Sequence, residues 1–209
     1  MPHSLFIMNL REALKNYRPL AGGREGTSPS DRIRRQFLAE SNAAKQPAAV
    51  LILLFPKGDR LHTVFIMRNE YPGHHSGQIS FPGGKQDPED GDLVKTALRE
   101  SAEEVGIRPE DVEILGSLNS LYIPVSNFDV LPVVGFMNYD PSFTIDRSEV
   151  QYLIEVPLEE LTRSDKIRFE VHEYNGERYR MPYFEVEGVK IWGATAIILC
   201  EFLEVVSAC

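Results

Sequence analysis

The spacing of apolar residues divides the chain into a short helical stretch and a longer stretch dominated by strands. Residues 5–17 carry apolar side chains at helical spacing and predict an amphipathic helix. Residues 19–29 are rich in Gly, Pro and Ser and predict a loop, and residues 31–40 predict a second short helix. We therefore expect a helical extension at residues 1–45 in front of one main domain at residues 46–209.

Short apolar runs bounded by turn residues predict a sheet in the main domain. Residues 48–55 form a continuous apolar run, typical of a strand buried on both faces, and residues 61–68 follow as its hairpin partner. Further strands are expected at residues 112–121, 129–137, 152–156, 167–172, 177–186 and 189–191. A last helix is expected from Gly193 to about Leu203. Strands flanked by two main helices indicate a mixed α/β sandwich.

The other main helix is predicted to carry three glutamates on one side. Glu100, Glu103 and Glu104 stand at positions i, i+3 and i+4, which are neighbours on a helix surface. Like charges this close repel each other, and a hard cation such as Mg²⁺ or Mn²⁺ among their oxygens removes the repulsion. The preceding Gly83 and Gly84 allow the backbone to approach a ligand closely. The sequence therefore predicts a divalent metal site, with a solvated charged face as the alternative.

Residues on both sides of the glutamates predict where this helix begins, ends and packs. Asp90 or Asp92 is expected to cap its start, and Gly106 is expected to end it. Arg99 lies four residues before Glu103, where it can hold that carboxylate. The residues expected to pack on the sheet lie roughly opposite the glutamates, namely Val94, Ala97, Leu98, Ser101, Ala102 and Val105.

Charge and cysteine content narrow the classes of function. The net charge of −9 argues against a nucleic-acid surface, which needs a basic stripe. Two cysteines, Cys200 and Cys209, form neither a disulfide framework nor a metal-ligand spacing, and they favour a reducing compartment. The longest apolar runs, at residues 48–55 and 194–200, are too short to span a membrane. We therefore expect a cytoplasmic protein without a nucleic-acid or membrane partner.

The glycine-rich loop and the acidic helix together resemble the Nudix box of the Nudix hydrolase family. The second half of the box is complete, as Arg-Glu-Ser-Ala-Glu-Glu-Val-Gly-Ile at residues 99–107. In the first half, Asp90 stands where the family usually has a glutamate, and the stretch from Gly84 to Arg99 is one residue longer than the common form. The resemblance extends over about residues 48–205 and implies a Nudix-type α/β/α sandwich with a mixed β-sheet.

The resemblance also implies a chemistry. A Nudix hydrolase cleaves a diphosphate linked to another moiety with the help of Mg²⁺ or Mn²⁺, and here the metal ligands would be Glu100, Glu103, Glu104 and the Gly84 carbonyl. The activating base would be one of these glutamates or a carboxylate from a distant loop. Glu149 is the outside candidate, and its alternative interpretation is an exposed loop acid.

Residues 66–84 are similar to the coenzyme A diphosphatase branch of the Nudix enzymes. The positions that match this branch are Arg68, His75, Gly77, Gln78, Ser80 and Phe81. Gly73 stands where the branch usually has a second basic residue, and Asn69 and Pro72 also depart from it. The resemblance implies coenzyme A or its thioesters as the small-molecule diphosphate substrate.

The candidate substrate-binding residues on this basis are Arg68, His75, Gln78, Ser80 and, in a cleft loop with Tyr122 and Ser126, Phe128. Each has a structural alternative. Arg68 is suited to bidentate phosphate contact but can equally pair with a surface acid. His75 can be a loop residue, and Phe128 can pack in the core instead of stacking on a base or on a pantetheine arm.

Three functions therefore compete. The first is hydrolysis of coenzyme A or acyl-coenzyme A to adenosine 3′,5′-bisphosphate and 4′-phosphopantetheine or its acyl form. The second is hydrolysis of another nucleoside diphosphate derivative, such as ADP-ribose or a dinucleotide, which Gly73 keeps open. The third is a non-catalytic ligand sensor of the same fold, against which the intact glutamates count. Residues 1–45 are candidates for covering the edge of the domain, for a homodimer contact or for closing over the substrate.

Overall fold

The computed structural model describes residues 3–17, 44–70, 72, 75–163, 165–174 and 177–209. The helices in these ranges are α1 (Ser4–Asn16), α2 (Leu93–Val105), α3 (Leu158–Leu161) and α4 (Gly193–Ser207), with a 3₁₀ turn at Pro109–Asp111. The strands are β1 (Gln46–Lys57), β2 (Arg60–Arg68), β3 (Ile79–Ser80), β4 (Gly83–Lys85), β5 (Glu113–Ser117), β6 (Leu121–Ile123), β7 (Phe128–Phe136), β8 (Val150–Pro157), β9 (Ile167–Tyr174), β10 (Glu177–Val186) and β11 (Val189–Trp192). The helix predicted at residues 31–40 lies outside the described residues.

The strands form a mixed sheet of eight strands and an antiparallel sheet of three. In the large sheet, β1 pairs in antiparallel fashion with β2 and β4 and in parallel with β7. The strands β3 and β8 extend the sheet beyond β2, and β5 and β6 pair with β7. The small sheet has the order β11-β10-β9.

The strand β1 is apolar on both faces because each face is covered. Leu51 and Leu53 lie in a buried cluster with Ala97 of α2. Ile52 and Leu54, which alternate with them along the strand, lie in a second cluster with buried residues of α1 and α4. The predicted α/β/α sandwich with a mixed sheet is therefore confirmed, and the two covered faces explain the continuous apolar run.

The N-terminal helix α1 packs into the second of these clusters through Ile7, Leu10 and Leu14. The sequence pattern includes Leu5 in the apolar face, but the structure leaves Leu5 67% exposed. Leu5 lies two positions before Ile7, so its side chain is turned by about 200° around the helix from the buried stripe. The division of the chain at residues 1–45 and 46–209 stays a prediction.

The strand expected over residues 112–121 is two strands, Glu113–Ser117 and Leu121–Ile123. Between them, the backbone N–H and the side-chain amide of Asn119 donate hydrogen bonds to the buried carboxylate of Glu201, at 3.0 and 2.6 Å. This contact with α4 draws the chain out of the strand. The short helix α3 and the short strands β3 and β4 were not predicted, since elements of two to four residues carry too little periodicity.

The last helix, α4, begins at Gly193 as predicted and ends at Ser207, beyond the expected Leu203. It contacts α1, β6, β10 and β11, so its buried residues lie on several sides of the helix. In the described ranges, no helix is long and apolar enough to cross a membrane.

Candidate active site

The two glycines before α2 bring the backbone close to other groups on both sides. Gly83 has a φ of 148°, and a Cβ there would overlap the carbonyl oxygen of Ala49 and the Cα of Val50 on β1. A Cβ on Gly84 would overlap the carboxylate of Glu100. Only glycine fits both positions without a shift, so the strand β4 packs directly against β1 and against Glu100 in the middle of the acidic helix.

The start of α2 is fixed by two aspartates with different tasks. Asp92 is the cap, since its side chain accepts a hydrogen bond of 2.9 Å from the backbone N–H of Lys95. Asp90 is buried and instead accepts hydrogen bonds from Arg99 Nε at 2.7 Å and from Thr96 Oγ1 at 2.9 Å. The guanidinium of Arg99 is the main reason that the pKa of Asp90 lies well below its usual range. Asp90 therefore fastens the loop onto the helix.

Arg99 connects the loop, the strand β4 and two of the three glutamates. It donates a hydrogen bond to Glu103 Oε2 at 3.0 Å, which confirms the predicted i, i+4 contact. Its Nη2 also lies 3.0 Å from Glu100 Oε1 and donates to the carbonyl of Lys85 at 3.1 Å. Together with the Asp90 pair, these contacts make Arg99 a positioning residue for the acidic face of α2.

Glu104 has the most buried carboxylate of the three glutamates, with its side chain 1% exposed. It accepts hydrogen bonds from Arg68 Nη1 at 3.0 Å and from the backbone N–H of Gly83 at 2.7 Å. Burial raises the pKa of this carboxyl to about 7, and the negative charges of Glu100 and Glu149 add to the rise. The Arg68 guanidinium and the Gly83 amide oppose the rise.

The three glutamates differ in exposure, which sequence periodicity alone does not show. The side chains of Glu100 and Glu103 are 16% and 58% exposed, whereas Glu104 lies on the face of α2 that packs against the sheet. Burial also raises the pKa of Glu100 above its usual value. In the part of the chain that the structure describes, no three acidic, His or Cys side chains are already gathered around a common point for a metal. Each glutamate is instead turned towards Arg68 or Arg99.

The donor set nevertheless fits a hard divalent cation. Glu100 and Glu104 are oxygen donors with raised pKa values, beside a backbone segment at Gly84 that approaches Glu100 too closely for a side chain. A divalent cation would supply positive charge to carboxylates that burial and mutual repulsion destabilise. The ligand assignments of Glu100, Glu103, Glu104 and Gly84 stay predictions.

Arg68 reaches the box from the end of β2. The pairing of β2 with β8 shifts register between Met67 and Arg68, and such irregularities re-aim side chains at the ends of strands. The guanidinium of Arg68 donates to Glu104 and, at 3.4 Å, to the carbonyl of Gly83. Arg68 therefore pairs with an acid of the box.

Glu149 lies beside the end of β2, from which Arg68 extends, although it is 81 residues after Arg68 in the sequence. Its backbone carbonyl accepts a hydrogen bond of 2.9 Å from Asn69, the residue after β2, and Asn69 Nδ2 donates to the Arg147 carbonyl at 3.0 Å. The exposed Glu149 carboxylate is close enough to raise the pKa values of Glu100 and Glu104. This location is compatible with both interpretations of Glu149, the catalytic carboxylate and the exposed loop acid.

A cavity of about 500 Å³ opens beside Gly84 and Glu100, and we call it the substrate cavity. Its lining includes every substrate-binding residue that was predicted from the sequence, namely Arg68, His75, Gln78, Ser80 and Phe128. These residues come from β2, the loop before β3, β3 itself and β7. The fold thus brings the predicted substrate residues together with the box.

The side chain of His75 connects two segments that line the cavity, one with Gln78 and the other with Ser126. Its Nδ1 lies 3.2 Å from Gln78 Oε1, and its Nε2 lies 3.0 Å from Ser126 Oγ. His75 also has a φ of 66°, unusual for a residue with a side chain. The Oγ of Ser80 is buried in the cavity lining and has no hydrogen-bond partner among the described residues.

Comparison of the sequence with known protein families identifies the family to which this site belongs. Residues 45–181 match the sequence profile of the NUDIX domain. The chain belongs to the Nudix family. The predicted hydrolase family is therefore confirmed.

Named Nudix relatives align over most of the chain. The uncharacterized Nudix hydrolase NudL of Yersinia enterocolitica is 36% identical over 159 residues, which cover 76% of this chain and 80% of that protein. The mitochondrial Nudix hydrolase 15 of Arabidopsis thaliana is 35% identical over 159 residues, which cover 73% of this chain and 55% of that protein. Among solved structures, the NUDIX domain of Shewanella oneidensis NrtR complexed with ADP ribose has a TM-score of 0.44 and 22% identity, over 72% of this chain and 84% of that chain.

In the first half of this Nudix box, the residue that departs from the family pattern makes structural contacts. Asp90, which stands where the family usually has a glutamate, is bound by Arg99 and Thr96 and does not face the glutamates. Sequence reasoning missed this contact, and it also missed Ser126 as the partner of His75. The signal available in the sequence for Asp90 and Thr96 is an aspartate six residues before a threonine in the first turn of the predicted helix. No local signal exists for Ser126 and His75, which are 51 residues apart.

Proposed function

We propose that this Nudix hydrolase cleaves the diphosphate bond of coenzyme A or acyl-coenzyme A to adenosine 3′,5′-bisphosphate and (acyl-)4′-phosphopantetheine. One observation carries the proposal. The substrate cavity joins Arg68, His75, Gln78 and Ser80, on which the resemblance to the coenzyme A branch rests, to Gly84 and Glu100 of the box. A substrate bound by the first group therefore has its diphosphate within reach of the second.

The metal in this proposal is Mg²⁺ or Mn²⁺, held by Glu100, Glu103, Glu104 and the Gly84 carbonyl. When bound, such a cation neutralises diphosphate oxygens and lowers the pKa of the attacking water. Arg99 keeps Glu100 and Glu103 in place through its hydrogen bonds, and Arg68 and the Gly83 N–H do the same for Glu104. The most buried ligands, Glu104 and Glu100, have the strongest roles, and Glu103 supports them.

The protein groups would act on the substrate as follows. The oxygen of water forms a bond to one phosphorus, while the bond from that phosphorus to the bridging oxygen breaks. Glu149 accepts the proton of the water, because its exposed carboxylate lies near Glu100 and Glu104. Arg68 stabilises a phosphate oxygen at the same end of the cavity. Most of the rate enhancement comes from positioning and charge stabilisation.

A panel of diphosphates tests this function. The full-length protein is assayed with coenzyme A, an acyl-coenzyme A, ADP-ribose and a dinucleotide, each with Mg²⁺ and with Mn²⁺. We expect cleavage of coenzyme A or its thioester, with adenosine 3′,5′-bisphosphate as a product. Cleavage of ADP-ribose but not of coenzyme A would favour the second function, and no cleavage of any substrate would favour the sensor.

We propose that the protein is located in the cytoplasm, and the state of its two cysteines supports this location. Cys200 and Cys209 are both free, with Cys200 buried, so neither is used in a disulfide. Because the net charge of −9 repels an anionic substrate, positively charged groups within the site must attract it. A homodimer that involves residues 1–45 is a further prediction, which light scattering of the purified protein tests.

A further inference from the structure

The lining of the substrate cavity contains two chemically different groups of residues. The charged group is Arg68, Lys85 and Glu100, beside Gly84. The second group is apolar and comes from β6, β7 and α4. We call this part of the lining the apolar end, and its residues are Ile123, Phe128, Val130, Ala194 and Ile198.

The polar side chains near the apolar end are largely bound to each other. His75 lies between Gln78 and Ser126, as described above. Thr195 donates its hydroxyl to the carbonyl of Ile79 at 3.0 Å. Ser80 Oγ is the exception, since it is buried without a partner among the described residues. The lining therefore offers an arriving ligand one buried hydroxyl without a partner among the described residues, next to apolar side chains and to polar side chains that already make hydrogen bonds.

This lining is a poor match for a nucleobase and a good one for a flexible chain. A purine carries several ring and amino groups that need hydrogen bonds, and burial without them costs free energy. A pantetheine arm consists of apolar spacers and isolated amides, and an acyl chain has no polar atoms beyond its thioester. One amide of such an arm satisfies the hydroxyl of Ser80, and the spacers pack on the apolar side chains.

We propose that the apolar end holds the pantetheine arm and acyl chain of the substrate, not its adenosine, and that Ile198 sets how long a chain fits. The proposal rests on the diphosphatase function given above. Ile198 is suited to this role because its side chain projects from α4, whose first turn already lines the cavity through Ala194 and Thr195.

Two neighbouring isoleucines of α4 provide a matched pair for the experiment. Ile197 and Ile198 are each 3% exposed, but only Ile198 is among the described residues that line the cavity. Replacing either by alanine removes the same atoms from a buried site. Both Ile197→Ala and Ile198→Ala should therefore lower the melting temperature, whereas only Ile198→Ala should change the preference for substrate chain length.

The kinetic readout is the ratio of KM for decanoyl-coenzyme A to KM for coenzyme A. Ile198→Phe fills the apolar end and should raise this ratio by about tenfold, the scale of a few apolar contacts in a pocket. Ile198→Ala should lower the ratio, and Ile197→Ala should leave it unchanged. Product inhibition gives a second measurement: Ile198→Phe should weaken inhibition by 4′-phosphopantetheine and not by adenosine 3′,5′-bisphosphate.

The possible results separate this proposal from the function on which it rests. If Ile198→Phe weakens inhibition by adenosine 3′,5′-bisphosphate and not inhibition by 4′-phosphopantetheine, the adenosine occupies the apolar end and the proposal is wrong. If the ratio does not respond to either change at Ile198, the proposal is also wrong. Failure of the unmutated protein to cleave coenzyme A would overturn the proposed function itself. If Ile198→Phe does not fold, the KM ratios of Ile198→Ala and Ile197→Ala still test the proposal.

Discussion

Glu104 combines two features that rarely occur together, a carboxylate that is 1% exposed and a position beside other carboxylates. Burying a charge is unfavourable unless it is paired and hydrogen-bonded, and here Arg68 and the Gly83 amide supply both. Such an arrangement is maintained at a cost in stability, which is typical of a group that has a chemical task. One prediction at the scale of a single residue follows from it.

Glu104→Gln should lower kcat for diphosphate hydrolysis on the order of 10²–10³-fold. This is the loss in kcat that follows removal of one preorganised electrostatic group from an active site. The fold should persist, because glutamine has nearly the same shape and its carbonyl still accepts from Gly83. Circular dichroism and a thermal melt check the fold, and steady-state kinetics check the rate. Glu103→Gln is the control, and its loss should be smaller because Glu103 is 58% exposed. Unchanged turnover in Glu104→Gln would remove Glu104 from the metal site.

Gly83 and Gly84 should respond differently to alanine, although they are adjacent. In Gly83→Ala the new Cβ meets the backbone of β1, which cannot move away, so we expect a loss of at least about 2 kcal/mol in the free energy of unfolding. In Gly84→Ala the Cβ meets the flexible end of Glu100, so stability should change little while activity falls sharply. Urea unfolding and activity assays of both variants measure the contrast. Equal stability loss in the two variants would contradict it.

At the scale of an element, the start of α2 is organised by a loop carboxylate in addition to its cap. Asp92 satisfies a backbone N–H of the first turn, and Asp90 ties the preceding loop to Arg99 and Thr96. Since Arg99 also binds Glu100 and Glu103, the loop and the glutamates share one guanidinium. One side chain therefore holds the loop and the acidic face of α2 together.

Asp90→Asn should lower the free energy of unfolding by about 1–3 kcal/mol at pH 7, the range for a hydrogen-bonded charged group. The folded state lowers the pKa of Asp90, so its contribution is present above the unfolded pKa of about 4 and is lost as the pH falls below that value. The difference between wild type and Asp90→Asn should therefore narrow from pH 4 to pH 2. Urea unfolding at several pH values measures it.

The matched control for this experiment is Asp92→Asn. Asparagine caps a helix about as well as aspartate, so this change should cost only a few tenths of a kcal/mol. A difference between wild type and Asp90→Asn that stayed constant with pH would show that Asp90 contributes through packing and not through its charge.

At the scale of the whole molecule, metal binding should be visible without any substrate. A cation that binds only the folded protein stabilises it by about 2.7 kcal/mol at 100 times its Kd, a rise of roughly 5–10 °C in melting temperature for a chain of this size. We expect Mg²⁺ or Mn²⁺ to produce such a rise and EDTA to reverse it. The shift should shrink in Glu104→Gln and in Glu100→Gln, and an identical shift in all three proteins would place the metal elsewhere.

The parts of the molecule that could be predicted are those with local periodicity. The apolar run of β1 and the bounds of α2 follow from the sequence, since each depends on residues within one element. The glutamate spacing also indicates the box, but not that Glu104 is buried and Glu103 exposed, because that difference depends on where β4 packs. Periodicity carries no information about such packing.

Contacts between distant residues were beyond prediction for a related reason. Asn119 binds Glu201 across 82 residues, and this contact interrupts the predicted strand at residues 112–121. His75 and Ser126 similarly meet only because β6 and β7 lie beside the cavity. Their partnership depends on the sheet order, which no single segment determines.

The parallel pairing of β1 with β7 also has a consequence for how the chain acquires its shape. The register pairs Gln46 with Phe128, so a long loop must close before the two strands pair. Such pairings form slowly, because the chain loses conformational entropy on loop closure before the strand contacts stabilise it. Until then, one edge of an apolar strand is open to other chains, which is a route to aggregation. The cavity has walls on both strands, at Ala48 and Val130. We therefore expect the binding site to be completed late in folding, after the hairpin of β1 and β2 has formed.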